Sequence, residues 1–201
     1  MSTMSRPRST QIPLLDLRKS SGPHGPVMGG REIMVESTLR IASWLQPQSV
    51  LLDVDIRDRE HALEVSAAEI GRAHDLDYAP IFRALWRREQ AGSTALGDGF
   101  AIPHARITGI VRPLTLFLRS KRPLHFHAPD GKPVSDLLVI MVPTDGANDD
   151  HLQLLALVAR LFSDRGFRMQ LHHTSDAIAA EKAFREGIAL VLHSVQRDTT
   201  S

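Results

Sequence analysis

Hydrophobic and polar positions alternate along this chain in three successive regimes. From residue 58 to residue 90 the apolar residues recur at helical spacing. Leu63, Ala67, Ile70 and His74 form one stripe of a helix predicted to start at Asp58 and run to about Leu76. A second helix is predicted over 80–90, opened by Pro80 and stopped at Gly92. Between 93 and 143 the period shortens. Two extended pieces, "STAL" and "GFAIPHA", flank the turn signal "GDG", and residues 109–120, which alternate from Leu114 to Leu118, read as a strand. Residues 124–134 also alternate and hold a Pro-Asp-Gly turn, while 135–143 form the near-continuous apolar run of a strand covered on both faces. From 148 onward the helical period returns. A helix over 148–164 is apolar almost all round and so predicted to be buried. One or two more helices follow over 165–187, the last capped by Ser175 or Asp176 and ending at Gly187.

The N-terminal side is weaker. Residues 37–45 read as a short helix ended by Pro47, and 49–56 as a β-branched strand. Residues 1–36 are rich in Ser, Arg, Pro and Gly, lack periodicity and read as a flexible extension. Residues 37–190 are read as one domain and 191–201 as a tail. Helices, then clustered strands, then helices point to the α/β class: a single domain with a mixed β-sheet flanked by helices on both sides.

Composition narrows the chemistry. The chain has 201 residues, 24 Lys plus Arg against 23 Asp plus Glu, and no cysteine. A balanced charge provides no global basic field for nucleic acid. The missing thiols exclude disulfides, thiolate metal sites and a cysteine nucleophile. No apolar run approaches the roughly 20 residues of a membrane helix, so a cytoplasmic protein is expected.

The segment "GSTALGDGFAIPHARI" concentrates the candidate chemistry. Pro103 fixes its own φ and biases Ile102 toward an extended conformation, so the chain enters His104 in a defined direction. Gly97 and Gly99 allow a tight turn just before it, and Ser93 and Thr94 supply hydroxyls at the other end of the loop. A neutral imidazole can serve as a base, a metal ligand or a nucleophile that accepts a phosphoryl group. Phosphoryl oxygens need fixed donors. Arg87 and Arg88 lie just upstream, and the helix predicted from 148 offers an N-terminus with His151 in its first turn.

Other patterns carry less. His125 and His127 alternate on one face, but a third metal ligand is not in view. His172 and His173 read as helix-end or surface residues, and His74 as partly buried. Gly92 and Gly97 have P-loop separation, but Asp98-Gly99 stands where the Lys-Ser/Thr pair must be.

Taken together, "RREQAGSTALGDGFAIPHARI" and "PVSDLLVIMVPTDGANDDHLQLLALVARLF" resemble phosphotransferase-system IIA proteins of the fructose, mannitol and nitrogen-regulatory type, over about residues 37–187. The resemblance implies a phosphoryl carrier without cofactor or metal. His104 is its implied phosphoryl acceptor, through Nε2, and Arg88 and His151 complete the active site. Glu89, Ser93, Thr94, Gly99 and Pro103 fall on the supporting pattern. Ala105 stands where a glycine is frequent and Arg106 where a lysine is frequent. The implied donor is an HPr-type phosphocarrier protein. The implied recipients are regulated protein targets, for a nitrogen-type IIA, or the IIB domain of a sugar transporter. The chain's length, without fused IIB or membrane domains, favours the regulatory form. A binding module that kept the fold and lost transfer is the other class the residues allow.

Overall fold

The structure is a computed structural model that describes the main chain over residues 45–145 and 148–198; side chains of 148–153 and 192–198 are outside the description. The expected extension over 1–36 and the helix over 37–45 fall outside it, Leu45 excepted. Pro47 does not end a helix within the described residues; it opens a 3₁₀ turn, Pro47–Ser49.

Strand β1 (Val50–Val54) is followed by helices α1 (Arg59–His74) and α2 (Tyr78–Gln90). Both helices start where an aspartate caps them. Asp58 accepts from the His61 N–H at 2.8 Å and Asp77 from the Ala79 N–H at 3.1 Å, which satisfies donors the helix itself leaves open. Short strands β2 (Ala95–Gly97), β3 (Phe100–Ala101) and β4 (His104–Ile107) lead to the long strands β5 (Leu114–Leu124) and β6 (Val134–Pro143). Helices α3 (Asn148–Ser163), α4 (Arg165–His172) and α5 (Ala177–Asp198) close the chain.

The strands form one mixed sheet in the order β1-β5-β6-β3-β2, with β4 also paired to β6. β6 is antiparallel to β5 and parallel to both β3 and β4. This is why 135–143 is apolar without alternation: neighbours lie on both edges and helices on both faces. Leu116, Val139 and Met141 pack with Leu63, Ile70, Ile81 and Leu85 of α1 and α2. Phe117, Leu138 and Ile140 face the opposite way, against Val158, Leu161 and Phe162 of α3, Phe167 and Leu171 of α4, and Phe184 of α5. The expected α/β class, with helices on both sides of a mixed sheet, is the observed one.

Several local expectations are corrected. β5 runs to Leu124, and the alternation beyond it belongs to a connection rather than a strand; His125 and His127 are exposed with Phe126 buried between them, and His127 has φ +52°. Helix α3 buries one face only, since Ala159 and Arg160 are exposed while Leu154, Val158, Leu161 and Phe162 are buried. His74 lies beyond the buried part of its stripe and is exposed. Helix α5 does not stop at Gly187 but continues through it to Asp198. A Cβ there would lie 2.7 Å from Leu161 Cδ1 and 2.7 Å from the Phe167 ring, so this glycine allows close helix packing instead of ending a helix. Asp176, not Ser175, caps α5, accepting from the Ala179 N–H at 2.8 Å.

Candidate functional site

The loop between α2 and β4 is built as a scaffold that ends in one imidazole. Its hairpin turns at Gly97-Asp98-Gly99, where φ is +96°, +50° and +86°. Two glycines and an aspartate accept this left-handed run at low cost. Asp130, on the β5–β6 connection, accepts the Asp98 N–H at 2.7 Å and pins the turn. The Thr94 carbonyl accepts the Ile102 N–H at 3.0 Å, and the Pro103 carbonyl accepts the Ile140 N–H at 2.9 Å. Pro103 is buried, so the residue before His104 is fixed by its own ring and by β6.

Glu89 anchors the start of the loop. Its side chain is 0% exposed and its Oε2 accepts from the Thr94 N–H at 3.1 Å and the Thr94 hydroxyl at 2.6 Å. Oε1 accepts no hydrogen bond; its counter-charge is Arg59 of α1, 3.5 Å away. Arg59 also lies over the Trp86 ring at 5.5 Å. Ser93 donates its hydroxyl to the Phe126 carbonyl and accepts the Ala95 N–H at 3.2 Å. The Ser93 and Thr94 hydroxyls are therefore spent on the scaffold. Gly99 belongs to it as well, its carbonyl accepting from Ser135 and Asp136 N–H groups at 2.9 and 3.1 Å.

His104 sits at the first position of β4, partly buried. Its Nδ1 is 2.8 Å from the Ile102 carbonyl. A carbonyl only accepts, so Nδ1 carries the proton. Nε2 then holds the lone pair, and it accepts from Arg88 Nε–H at 3.1 Å. The second arm of the Arg88 guanidinium donates to the Gly92 carbonyl at 2.9 Å. The choice between the paired arginines is thereby made by geometry: Arg88 meets the imidazole, while Arg87 is exposed beside it. Both line an open cavity of about 380 Å³ together with Ala84, Ala91, His104, Ala105 and Arg106.

Of the residues singled out from the sequence, the structure brings together Arg88 and His104, with Glu89, Ser93, Thr94, Gly99 and Pro103 behind them. His151 occupies the first turn of α3, but its side chain is outside the described residues. Sequence reasoning missed Arg59 and the Phe126 carbonyl. Both act from 30 or more residues away, and neither carries a local signal. Among the described residues no group of three or more His, Cys, Asp or Glu is placed to hold a metal ion. None of the described helices is long and apolar enough to cross a membrane.

Comparison with known proteins gives a consistent assignment. Residues 43–186 match the family model of the phosphoenolpyruvate-dependent sugar phosphotransferase system, EIIA 2. Similar proteins include a nitrogen regulatory protein of Bradyrhizobium diazoefficiens, 34% identical over 139 residues, which span 69% of this chain and 90% of that protein. A nitrogen regulatory protein of Pseudomonas aeruginosa is also 34% identical, over 70% of this chain and 92% of that protein. The fructose-specific EIIABC component of Bacillus subtilis is 28% identical over 66% of this chain, but only 21% of that longer protein is matched. Among solved structures, the nitrogen regulatory protein IIA-Ntr of Neisseria meningitidis superposes with a TM-score of 0.68 at 34% identity, covering 72% of this chain and 99% of that one.

Proposed function

Starting from a chain that belongs to the EIIA 2 family of the phosphoenolpyruvate-dependent sugar phosphotransferase system, we propose that it is a cytoplasmic phosphoryl carrier, charged on Nε2 of His104 by an HPr-type phosphocarrier protein. The observation that carries this reading is the pair of hydrogen bonds on the ring. Ile102 holds the proton on Nδ1, which leaves Nε2 as the acceptor nitrogen, bonded to the Arg88 guanidinium at a cavity that both residues line.

The chemistry follows from that arrangement. Nε2 attacks the phosphorus of the donor's phosphohistidine, a new N–P bond forms as the donor's N–P bond breaks, and the donor imidazole leaves with its electron pair. Arg88 gives up its hydrogen bond to Nε2 as phosphorus approaches. Anchored at Gly92, its guanidinium stays within reach of the phosphoryl oxygens and offsets their charge. His104 keeps its Nδ1 proton through the step, so the phosphorylated ring is an imidazolium and a good leaving group for the onward transfer. His151 is proposed as the second active-site histidine, on the strength of its place in the motif. Glu89, Ser93, Thr94, Gly99 and Pro103 are positioning residues, since each acts through the loop.

We place the carrier with the nitrogen-regulatory members. The support is 34% identity across nearly the whole length of two such proteins. Its output would then be a partner interaction that changes when a dianionic group is added to the rim of the His104 cavity. The test is intact-protein mass after incubation with phosphoenolpyruvate, enzyme I and the HPr-type carrier. A gain of one acid-labile phosphoryl group in the wild type and none in His104→Ala is the expected result. An equal gain in both overturns the assignment of His104. No gain in either, with an active carrier, overturns the carrier function.

A further inference from the structure

A second polar cavity opens at the other end of the sheet, between the β2–β3 turn, the start of β6 and helix α4. It measures about 520 Å³, larger than the cavity at His104. Arg165, Arg168, Met169 and His172 all line it. Their spacing of i, i+3, i+4 and i+7 puts them on one face of α4. Lys132, Asp98 and Phe100 line the opposite wall.

The floor is a charged relay. Asp136 is 1% exposed, and its two oxygens are divided between Arg119 Nε at 2.7 Å and His172 Nδ1 at 2.8 Å. Arg119 in turn donates to the Leu171 and Thr174 carbonyls at the end of α4, at 2.5 and 2.8 Å. The Asp136 carboxylate fixes the orientation of the His172 ring. Above the floor, Asp98 bridges two of the three cations, accepting from Lys132 Nζ at 2.8 Å and Arg168 at 2.9 Å. That carboxylate is half exposed on a turn, and it neutralises a cluster that would otherwise repel itself.

We infer that this cavity is a second anion site, which takes a phosphate monoester with a small organic body, and that Asp98 is the internal carboxylate such a ligand displaces. Donors from Lys132, Arg165 and Arg168 come from two separate elements and line one space, as a tetrahedral dianion requires and a planar carboxylate does not. The half-exposed Met169 in the same lining offers apolar contact to an organic body, and the volume exceeds the need of a bare phosphate ion. The site is independent of the chemistry at His104.

The test is titration of the full-length protein, at constant ionic strength, with phenyl phosphate, inorganic phosphate and succinate, followed by calorimetry and by backbone amide NMR. Saturable binding of phenyl phosphate is expected, tighter than inorganic phosphate and much tighter than succinate. Amide shifts are expected to cluster at 98–100, 132–136 and 165–172. Replacing the exposed cations, in Lys132→Gln with Arg165→Gln, is expected to weaken binding about tenfold. Asp98→Asn keeps a residue that tolerates positive φ, removes the charge shared by Lys132 and Arg168 while leaving Lys132 its longer contact to Asp130 at 3.7 Å, and is expected to tighten binding several-fold. Shifts confined to 84–91 and 104–106, succinate binding as tightly as phenyl phosphate, no saturation by roughly 10 mM, or weaker binding in Asp98→Asn would each overturn the inference.

Discussion

Removing the Glu89 carboxylate tests whether the loop before His104 is held as described. In Glu89→Ala, the Thr94 N–H and hydroxyl lose their shared acceptor in a site where Glu89 is 0% exposed, and Arg59 loses its counter-ion. Two hydrogen bonds to a buried charge and the orphaned partners give a loss of about 3–5 kcal/mol. Glu89→Gln is the informative companion. Its carbonyl can keep both Thr94 donors, because Oε1 accepts no hydrogen bond in the native protein and its place can be taken by the amide. The remaining cost is the lost charge facing Arg59 at 3.5 Å and weaker acceptance, about 1–2 kcal/mol. Against a typical total of about 5–15 kcal/mol, the alanine variant is marginal and the glutamine variant is folded. Urea unfolding measures this directly: with ordinary slopes, alanine lowers the midpoint by roughly 1–3 M and glutamine by less than half of that. Equal midpoints for the two variants would mean that the Thr94 hydrogen bonds contribute nothing that the isostere preserves, and that Glu89 does not hold the loop.

Other outcomes follow from single contacts. Gly187→Ala, which in a bare helix would gain up to about 1 kcal/mol, is expected to lose about 1–3 kcal/mol because its Cβ meets Leu161 and Phe167 at 2.7 Å; thermal unfolding gives the sign. Arg119→Met leaves Asp136 buried and removes the donors to Leu171 and Thr174, and is expected to cost about 3–5 kcal/mol by urea unfolding. Arg88→Lys keeps the charge but loses the fork that spans His104 and Gly92. The rate of phosphorylation by the HPr-type carrier is expected to fall about 10²-fold, while stability changes little.

The sequence made the site more legible than the boundaries around it. Ile-Pro-His behind two turn glycines is local chemistry, and it describes a stiff approach to an imidazole before any contact is known. Arg88 and Glu89 also stand out locally, but their division of labour does not: adjacent residues on α2 project differently, so one meets His104 and the other is buried against Thr94. Arg59, Phe126 and the Asp136–His172 pair depend on contacts across 30 or more residues, which local spacing does not encode. Glycine is a common helix terminator, so the pattern predicts a stop at Gly187; tight packing by Leu161 and Phe167 gives it the opposite role. The apolar pattern also ends β5 before its ladder does. Its first seven residues are buried on both faces, but Lys121, Arg122 and Pro123 emerge into solvent and lose the apolar signal while the ladder continues to Leu124.

The measurement that bears most directly on the central claim is phosphorus–nitrogen NMR of the phosphorylated protein, labelled with ¹⁵N in its histidines. A single phosphohistidine is expected, coupled through Nε2 of His104, with the proton retained on Nδ1 by Ile102. Coupling through Nδ1, or a phosphoryl group on any other histidine, would contradict it.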